Sequence, residues 1–159
     1  MSVATWRIAI TRPRLPATDL GGHGAAIAGG RWNSPGRRAV YTSGSIALAC
    51  LETLAHLNSA SLPLRRYLVR IEVPDGVWAG RTMLVPANLP AAWDALPAGK
   101  ASMRLGDQWL DEGRTALLQI PSVIIPEEFN FVLDPRHPDA ARISAKSQRE
   151  WTYDARLQG

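Results

Sequence analysis

The sequence predicts a single domain, residues 1–159, that mixes β-strands with α-helices. The segment "RYLVRIEV" alternates apolar residues with Arg70 and Glu72, a pattern typical of a half-buried strand. Apolar residues recur every three or four positions after Ser45, so a helix is predicted there with Ser45 as its N-cap. A chain of 159 residues without repeats or an obvious linker suits one domain.

The other predicted elements are shorter. Strands are predicted in "WRIAI", "RAVYTS", "ALLQIPSVIIP", "NFVLDP" and the terminal "EWTYDARL". A short helix is predicted in "LGDQWLDEG", closed by Gly113. The glycine-rich range Leu15–Gly30 is predicted as a loop, and Pro74–Gly99 as a loop with one short helix near Ala91–Leu96.

The composition excludes several classes of protein. No apolar run approaches the ~18 residues of a membrane-spanning helix, and the first residues lack the pattern of a secretory signal. The single cysteine, Cys50, cannot form an internal disulfide, which favours a cytoplasmic protein. The net charge of +4 comes from dispersed arginines without a recognised binding motif. A non-enzymatic nucleic-acid-binding module is therefore the weakest alternative, and no direct contact with nucleic acid is expected.

The segment "GGRWNSPGRRAVYTS" is rich in groups that bind anions and flat rings. Arg31 follows two glycines, which allow a ligand close to the backbone, and its guanidinium can hold a phosphate with two hydrogen bonds. Trp32 and Tyr41 are either ring platforms for a ligand or anchors in the core. Arg37 and Arg38 flank the central turn as expected surface charges.

Glu52 lies outside the apolar face of the helix that follows this segment, with His56 one turn further on. It is either a solvated glutamate or a carboxylate that stabilises positive charge on a sugar. Ser122 has no Gly-x-Ser-x-Gly context, so a hydrolase nucleophile is not expected. Three histidines and one cysteine show no metal-binding spacing, and no metal is predicted.

Several segments in order resemble the RES domain, the toxin of bacterial Xre–RES toxin–antitoxin pairs. These are "GGRWNSPGRRAVYTSGSIALACLETLAH", "LGDQWL", "IPSVIIPEEFNFVLDPRHPD" and "YDARL". The resemblance implies an α+β fold similar to ADP-ribosyltransferases, with a split β-sheet core and flanking helices. It also implies NAD⁺ as substrate, no further cofactor, and an Xre-type helix-turn-helix antitoxin that blocks the active-site cleft, where Arg37 and Arg38 could meet carboxylates of that partner.

The resemblance also implies the site residues. They are Arg31, Glu52 and Ser122 for catalysis, and Arg7, Arg31, Tyr41, Ser122 and Asn130 for binding NAD⁺. Glu52 would stabilise the oxocarbenium character of the ribose while the nicotinamide–ribose bond breaks by hydrolysis or phosphorolysis. The alternative is transfer of ADP-ribose to a protein, because the residues that bind NAD⁺ do not select the acceptor.

Overall fold

The computed structural model describes residues 1–57 and 63–157. The strands within these ranges are β1 Ser2–Ile10, β2 Val40–Ser43, β3 Arg66–Pro74, β4 Thr82–Met83, β5 Leu117–Pro121, β6 Phe129–Leu133 and β7 Ser144–Trp151. The α-helices are α1 His23–Ala28, α2 Ile46–Ala55, α3 Asp75–Ala79 and α4 Lys100–Glu112. Short 3₁₀ turns lie at Pro86–Asn88, Pro138–Arg142 and Ala155–Leu157.

The strands form one sheet in the order β4-β5-β6-β2-β1-β3-β7, antiparallel except for the parallel pair β4 and β5. Strand β1 pairs with β3 along its whole length, but it meets β2 at a single register position, Trp6 opposite Ser43. The sheet is therefore nearly divided into two halves, β4-β5-β6-β2 and β1-β3-β7. The predicted α+β class, with a split sheet and flanking helices, is confirmed.

One apolar cluster joins the two halves. Val69, Ile71 and Val73 of β3 are fully buried and belong to the same cluster as Val40 of β2 and Leu133 of β6. Each buried side chain of this kind stabilises the fold by about 1.5–3 kcal/mol. This shared cluster holds the halves together where backbone pairing is almost absent, and so it sets the position of β1 and α2 relative to β6.

Helix α2 begins where it was predicted, but its fully buried residues are not those of the apolar face that the sequence indicated. The Ser45 side chain accepts a hydrogen bond from the Leu48 amide at 3.1 Å, which confirms the predicted N-cap. Leu48 and Ala49 are buried, and Ala49 packs in the cluster of Ile8 and Leu68 on the β1-β3-β7 half. This packing fixes the rotation of α2 about its axis and therefore the direction of Glu52.

Helix α4 starts earlier than predicted and ends as predicted. It begins at Lys100 and closes at Gly113, whose φ of 58° lies in the left-handed region that glycine tolerates. Its buried residues are Ser102, Gly106 and Trp109, two of which are small or polar. An apolar periodicity therefore marks only the second half of this helix.

Three predictions of local structure were wrong. The predicted loop Leu15–Gly30 contains α1, which has no buried residue and hence no apolar pattern to reveal it. The range Ala91–Leu96 forms turns, whereas Pro74–Gly99 contains α3 and β4. The last strand is β7, which ends at Trp151 and lies largely before the predicted "EWTYDARL". As an edge strand with no fully buried residue, β7 needs no alternation of apolar side chains.

Candidate active site

The carboxylate of Glu52 is held by two neutral donors at one oxygen. Its Oε1 accepts a hydrogen bond from the Ser122 hydroxyl at 2.7 Å and another from Nδ2 of Asn130 at 2.6 Å. The three residues come from α2, from the position after β5, and from β6. Neutral donors orient a carboxylate without cancelling its negative charge, so Glu52 remains available to stabilise a cation.

Ser122 is fully buried, and its hydrogen bonds are all accounted for within the protein. Its Oγ accepts from the amides of Ile124 at 3.1 Å and Ile125 at 3.2 Å. Two acceptor positions and one proton are the whole capacity of a hydroxyl, so the proton of Ser122 is committed to Glu52. This geometry favours a role for Ser122 through Glu52 over the predicted direct contact with a ligand.

Asn130 is oriented from its other side by a residue that sequence reasoning missed. Ser43 lies directly opposite Asn130 in the antiparallel pairing of β2 and β6, and its hydroxyl donates to Oδ1 of Asn130 at 2.7 Å. Ser43 is buried. Nothing in the sequence around Ser43 marks it as functional, because only the strand register brings the two side chains together.

Arg31 is anchored by the main chain of a distant loop. Its Nη1 donates to the carbonyls of Trp93 at 3.0 Å and Ala95 at 2.9 Å. Burial lowers the pKa of the Arg31 guanidinium, and the negative charge of Glu52 opposes this shift, which places the two predicted residues within electrostatic reach of each other. In the described part of the chain, Nε and Nη2 of Arg31 donate to no protein acceptor and remain for an anionic ligand.

Tyr41 supports the segment that carries Arg31. Its hydroxyl accepts from the amide of Trp32 at 3.1 Å and donates to Oδ1 of Asn33 at 2.5 Å. Burial raises the pKa of the Tyr41 phenol, so the side chain is neutral. The proton of the hydroxyl is committed to Asn33, and contact of the ring with the nicotinamide or ribose of NAD⁺ stays a prediction.

Asn33 holds together the arginine-bearing segment, residues 29–43, by hydrogen bonds of its side chain. It is fully buried, and its Nδ2 donates to the carbonyls of Ala25 at 2.9 Å and Arg37 at 3.1 Å. A Cβ atom at Gly30 would lie 2.7 Å from the Tyr41 hydroxyl and 2.8 Å from Oδ1 of Asn33, so this position requires glycine. The segment is therefore a folded scaffold, with buried Trp32 as a core anchor and not a platform for a ligand.

Arg7 is half-buried on β1, and Arg37 forms ion pairs with residues of α4. Arg7 shares its face of β1 with Ala9, which packs in the cluster between the half-sheets. Burial lowers the pKa of the Arg7 guanidinium, and the negative charge of Asp19 opposes this shift. Its contact with pyrophosphate stays a prediction. Arg37 pairs with Asp107 at 3.4 Å and with Asp111, both on α4. Arg37 is a surface charge, as predicted, and it is paired within its own chain; contact with a partner stays a prediction.

Residues 1–57 and 63–157 contain no group of three or more His, Cys, Asp or Glu side chains placed to bind a metal ion. None of the helices in these ranges combines the length and the apolar character needed to cross a bilayer. His56 contacts the main chain of Glu52 and not its carboxylate, since Nδ1 lies 2.7 Å from the Glu52 carbonyl.

Comparison with known proteins gives consistent matches along the chain. Residues 4–155 match the RES domain family. The chain is 54% identical to the "Prs ADP-ribosylating toxin" of Sphingobium sp. (strain YBL2), over 99% of this chain and 98% of that protein. It is 40% identical to "Toxin Res" of Pseudomonas putida over 87% of this chain and 92% of that protein.

A further relative is "Toxin Res" of Yersinia enterocolitica, with 34% identity over 93% of this chain and 96% of that protein. Among solved structures, the fold is similar to a chain in the crystal structure of the M. tuberculosis MbcT–MbcA toxin–antitoxin complex. The TM-score is 0.70, the match covers 94% of this chain and 85% of that chain, and the identity is 16%. At this identity the structural match concerns the fold.

Proposed function

The chain belongs to the RES domain family, and we propose from this that it is the toxin of a toxin–antitoxin pair and cleaves the nicotinamide–ribose bond of NAD⁺ at Glu52. The observation that carries the proposal is the carboxylate of Glu52, oriented by two neutral donors and within electrostatic reach of Arg31. NAD⁺ offers a pyrophosphate for the free nitrogens of the arginine and a ribose that becomes cationic during cleavage.

The proposed step breaks the bond between C1′ of the ribose and the nicotinamide nitrogen. The bonding electrons leave with the nicotinamide, which departs as a neutral molecule, and the ribose gains oxocarbenium character. A leaving group that needs no proton needs no general acid, so one carboxylate suffices for the chemistry. Glu52 supplies the negative charge that stabilises the cationic ribose, and Ser122 and Asn130 hold the orientation of its carboxylate.

The acceptor of the ADP-ribosyl group is proposed from the relatives. A protein that is 54% identical over nearly the whole chain is named a Prs ADP-ribosylating toxin. This name favours transfer to a side chain of a Prs protein for the present chain as well. Hydrolysis or phosphorolysis of NAD⁺ is the second candidate, with water or phosphate as the acceptor at the same carboxylate. An Xre-type antitoxin that blocks the cleft is the proposed partner, in line with the fold shared with a toxin of a toxin–antitoxin complex.

The test is incubation of the purified protein with NAD⁺, with and without the Prs protein of its host. Release of nicotinamide reports cleavage, and mass spectrometry distinguishes an ADP-ribosylated protein from free ADP-ribose or its 1-phosphate. Glu52→Gln keeps the shape of the side chain and removes its charge, and we expect nicotinamide release to fall by about 10²–10³-fold. Glu150→Gln, an exposed glutamate on β7, is the matched control and should retain full activity. Wild-type turnover by a folded Glu52→Gln protein would contradict the proposal.

A further inference from the structure

We infer that Ser43 is a positioning residue, which sets the orientation of Glu52 through the side-chain amide of Asn130. The inference rests on the proposed function. It adds a positioning role for a residue that is not among the site residues implied by the family resemblance. The atoms concerned form a continuous chain of hydrogen bonds: Ser43 Oγ to Asn130 Oδ1 at 2.7 Å, then Asn130 Nδ2 to Glu52 Oε1 at 2.6 Å.

The direction of every hydrogen bond in this chain follows from its end at Glu52. A carboxylate only accepts hydrogen bonds, so the atom of Asn130 that faces Glu52 is the amide nitrogen. The amide oxygen then faces Ser43, and the Ser43 hydroxyl donates its proton to that oxygen. The Ser43 hydroxyl therefore stabilises the orientation in which the amide nitrogen of Asn130 points at the carboxylate.

The backbone makes this arrangement rigid. Ser43 and Asn130 are direct partners in the register of β2 and β6, so their side chains leave the sheet on the same face. Ser43 is also the residue of β2 that meets β1, opposite Trp6, at the single junction of the two half-sheets. Its hydroxyl is buried, and water does not readily replace it as a donor.

Removing the Ser43 hydroxyl leaves Oδ1 of Asn130 without its donor. The amide can then rotate, and each turn that brings its oxygen toward Glu52 replaces an attraction by a repulsion. The consequence falls on the charge that stabilises the transition state and not on Arg31, which binds the ground state. Removal of the Ser43 hydroxyl should therefore lower kcat and leave KM for NAD⁺ nearly unchanged.

The experiment compares Ser43→Ala with Ser43→Thr, which retains a hydroxyl, and with Thr42→Val. Thr42 is the preceding residue of β2; it is buried, and its hydroxyl makes only a 3.4 Å contact with the Phe131 carbonyl. We expect kcat for nicotinamide release to fall roughly tenfold in Ser43→Ala, which is the effect of one ordinary hydrogen bond. The kcat of Ser43→Thr should be close to that of wild type, and the kcat of Thr42→Val should be unchanged. In an Asn130→Ala background, Ser43→Ala should have no further effect, because the path to Glu52 is already broken.

A second readout does not depend on NAD⁺ cleavage. The side-chain amide resonances of Asn130, identified by their loss in Asn130→Ala, should move in Ser43→Ala and move less in Thr42→Val. An unmoved Asn130 amide, or equal kcat values in wild type and Ser43→Ala, would overturn the positioning role and leave the proposed function standing. An inactive wild type would instead refute the proposed function, and the amide resonances would still decide the role of Ser43.

Discussion

Gly106 of α4 packs directly against the main-chain carbonyl of Trp32. A Cβ atom at Gly106 would lie 1.7 Å from that oxygen, far inside contact distance. The same helix binds the arginine-bearing segment at two further points: Ser102 donates to the Arg31 carbonyl at 2.9 Å, and Asp107 accepts from the Ser34 amide at 2.9 Å. Helix α4 therefore supports the backbone from which Arg31 projects.

This contact predicts that Gly106→Ala is strongly destabilising. The obstacle is backbone and not the end of a flexible side chain, so the helix or the segment must move to make room. We expect the free energy of unfolding to fall by about 1–3 kcal/mol or more, measured by urea denaturation. Gly24→Ala in α1 is the matched control, because a Cβ there meets nothing within 4 Å. Equal stability of Gly106→Ala and wild type would show that the close packing of α4 is not required.

Arg31→Lys should weaken binding of NAD⁺ even though the charge is retained. The guanidinium of Arg31 holds the Trp93 and Ala95 carbonyls with Nη1, and its Nε and Nη2 donate to no acceptor among residues 1–57 and 63–157. A lysine has one nitrogen and cannot serve both partners. We expect affinity to fall about 10- to 100-fold, as for loss of one charged hydrogen bond, measured by calorimetry. Arg38→Lys, an exposed arginine of the same segment, should bind normally. Unchanged affinity in Arg31→Lys would remove Arg31 from the site.

We expect the stability of the protein to fall with rising pH because of the carboxyl group of Asp134. It is buried, and burial raises the pKa of its carboxyl above the ordinary value of 3.8. The folded protein then keeps a proton that the unfolded chain has lost, so stability falls as pH rises from about 4 through the raised pKa. Asp134→Asn cannot ionise and retains an oxygen for the Arg136 amide. Its stability relative to wild type should therefore increase between about pH 4 and pH 7, measured by urea unfolding.

Asp154→Asn is the control with the opposite sign. Asp154 is exposed, and hydrogen bonds from Arg156 lower the pKa of its carboxyl. Replacement of that residue should give no gain in relative stability as pH rises. If the free energies of unfolding of Asp134→Asn and wild type differed by the same amount at every pH in this range, Asp134 would ionise in the folded protein as easily as in the unfolded chain.

Expression of the chain alone in a bacterial host should arrest growth, and it should also lower cellular NAD⁺ if water or phosphate is the acceptor. An unregulated enzyme of the proposed kind consumes a cofactor that many reactions share. Both effects should vanish with Glu52→Gln, or when a neighbouring helix-turn-helix gene is co-expressed. Growth and cellular NAD⁺ measured after induction provide the check. Normal growth with abundant folded wild-type protein would argue against a toxin.

The strongest local signals in the sequence predicted real elements. The alternation in "RYLVRIEV" corresponds to β3, the apolar periodicity after Ser45 corresponds to α2, and Gly113 ends α4. Each of these signals depends on neighbours within one or two turns. Helix α1 and strand β7 lack buried residues, so they carry no such pattern and were not found or were misplaced.

The sequence by itself determined the class of the fold and, through its resemblance to the RES domain, proposed the groups of the candidate site: one carboxylate at Glu52, one guanidinium at Arg31 and polar partners at Ser122 and Asn130. Only the tertiary structure decided how these groups are held. Ser43 reaches Asn130 across 87 positions of the chain, and Arg31 is anchored by carbonyls more than 60 positions away. The order and register of the strands set such contacts, and the packing of the two half-sheets through one shared cluster holds them in place. Periodicity along the chain encodes which face of an element is buried and not which element lies against it.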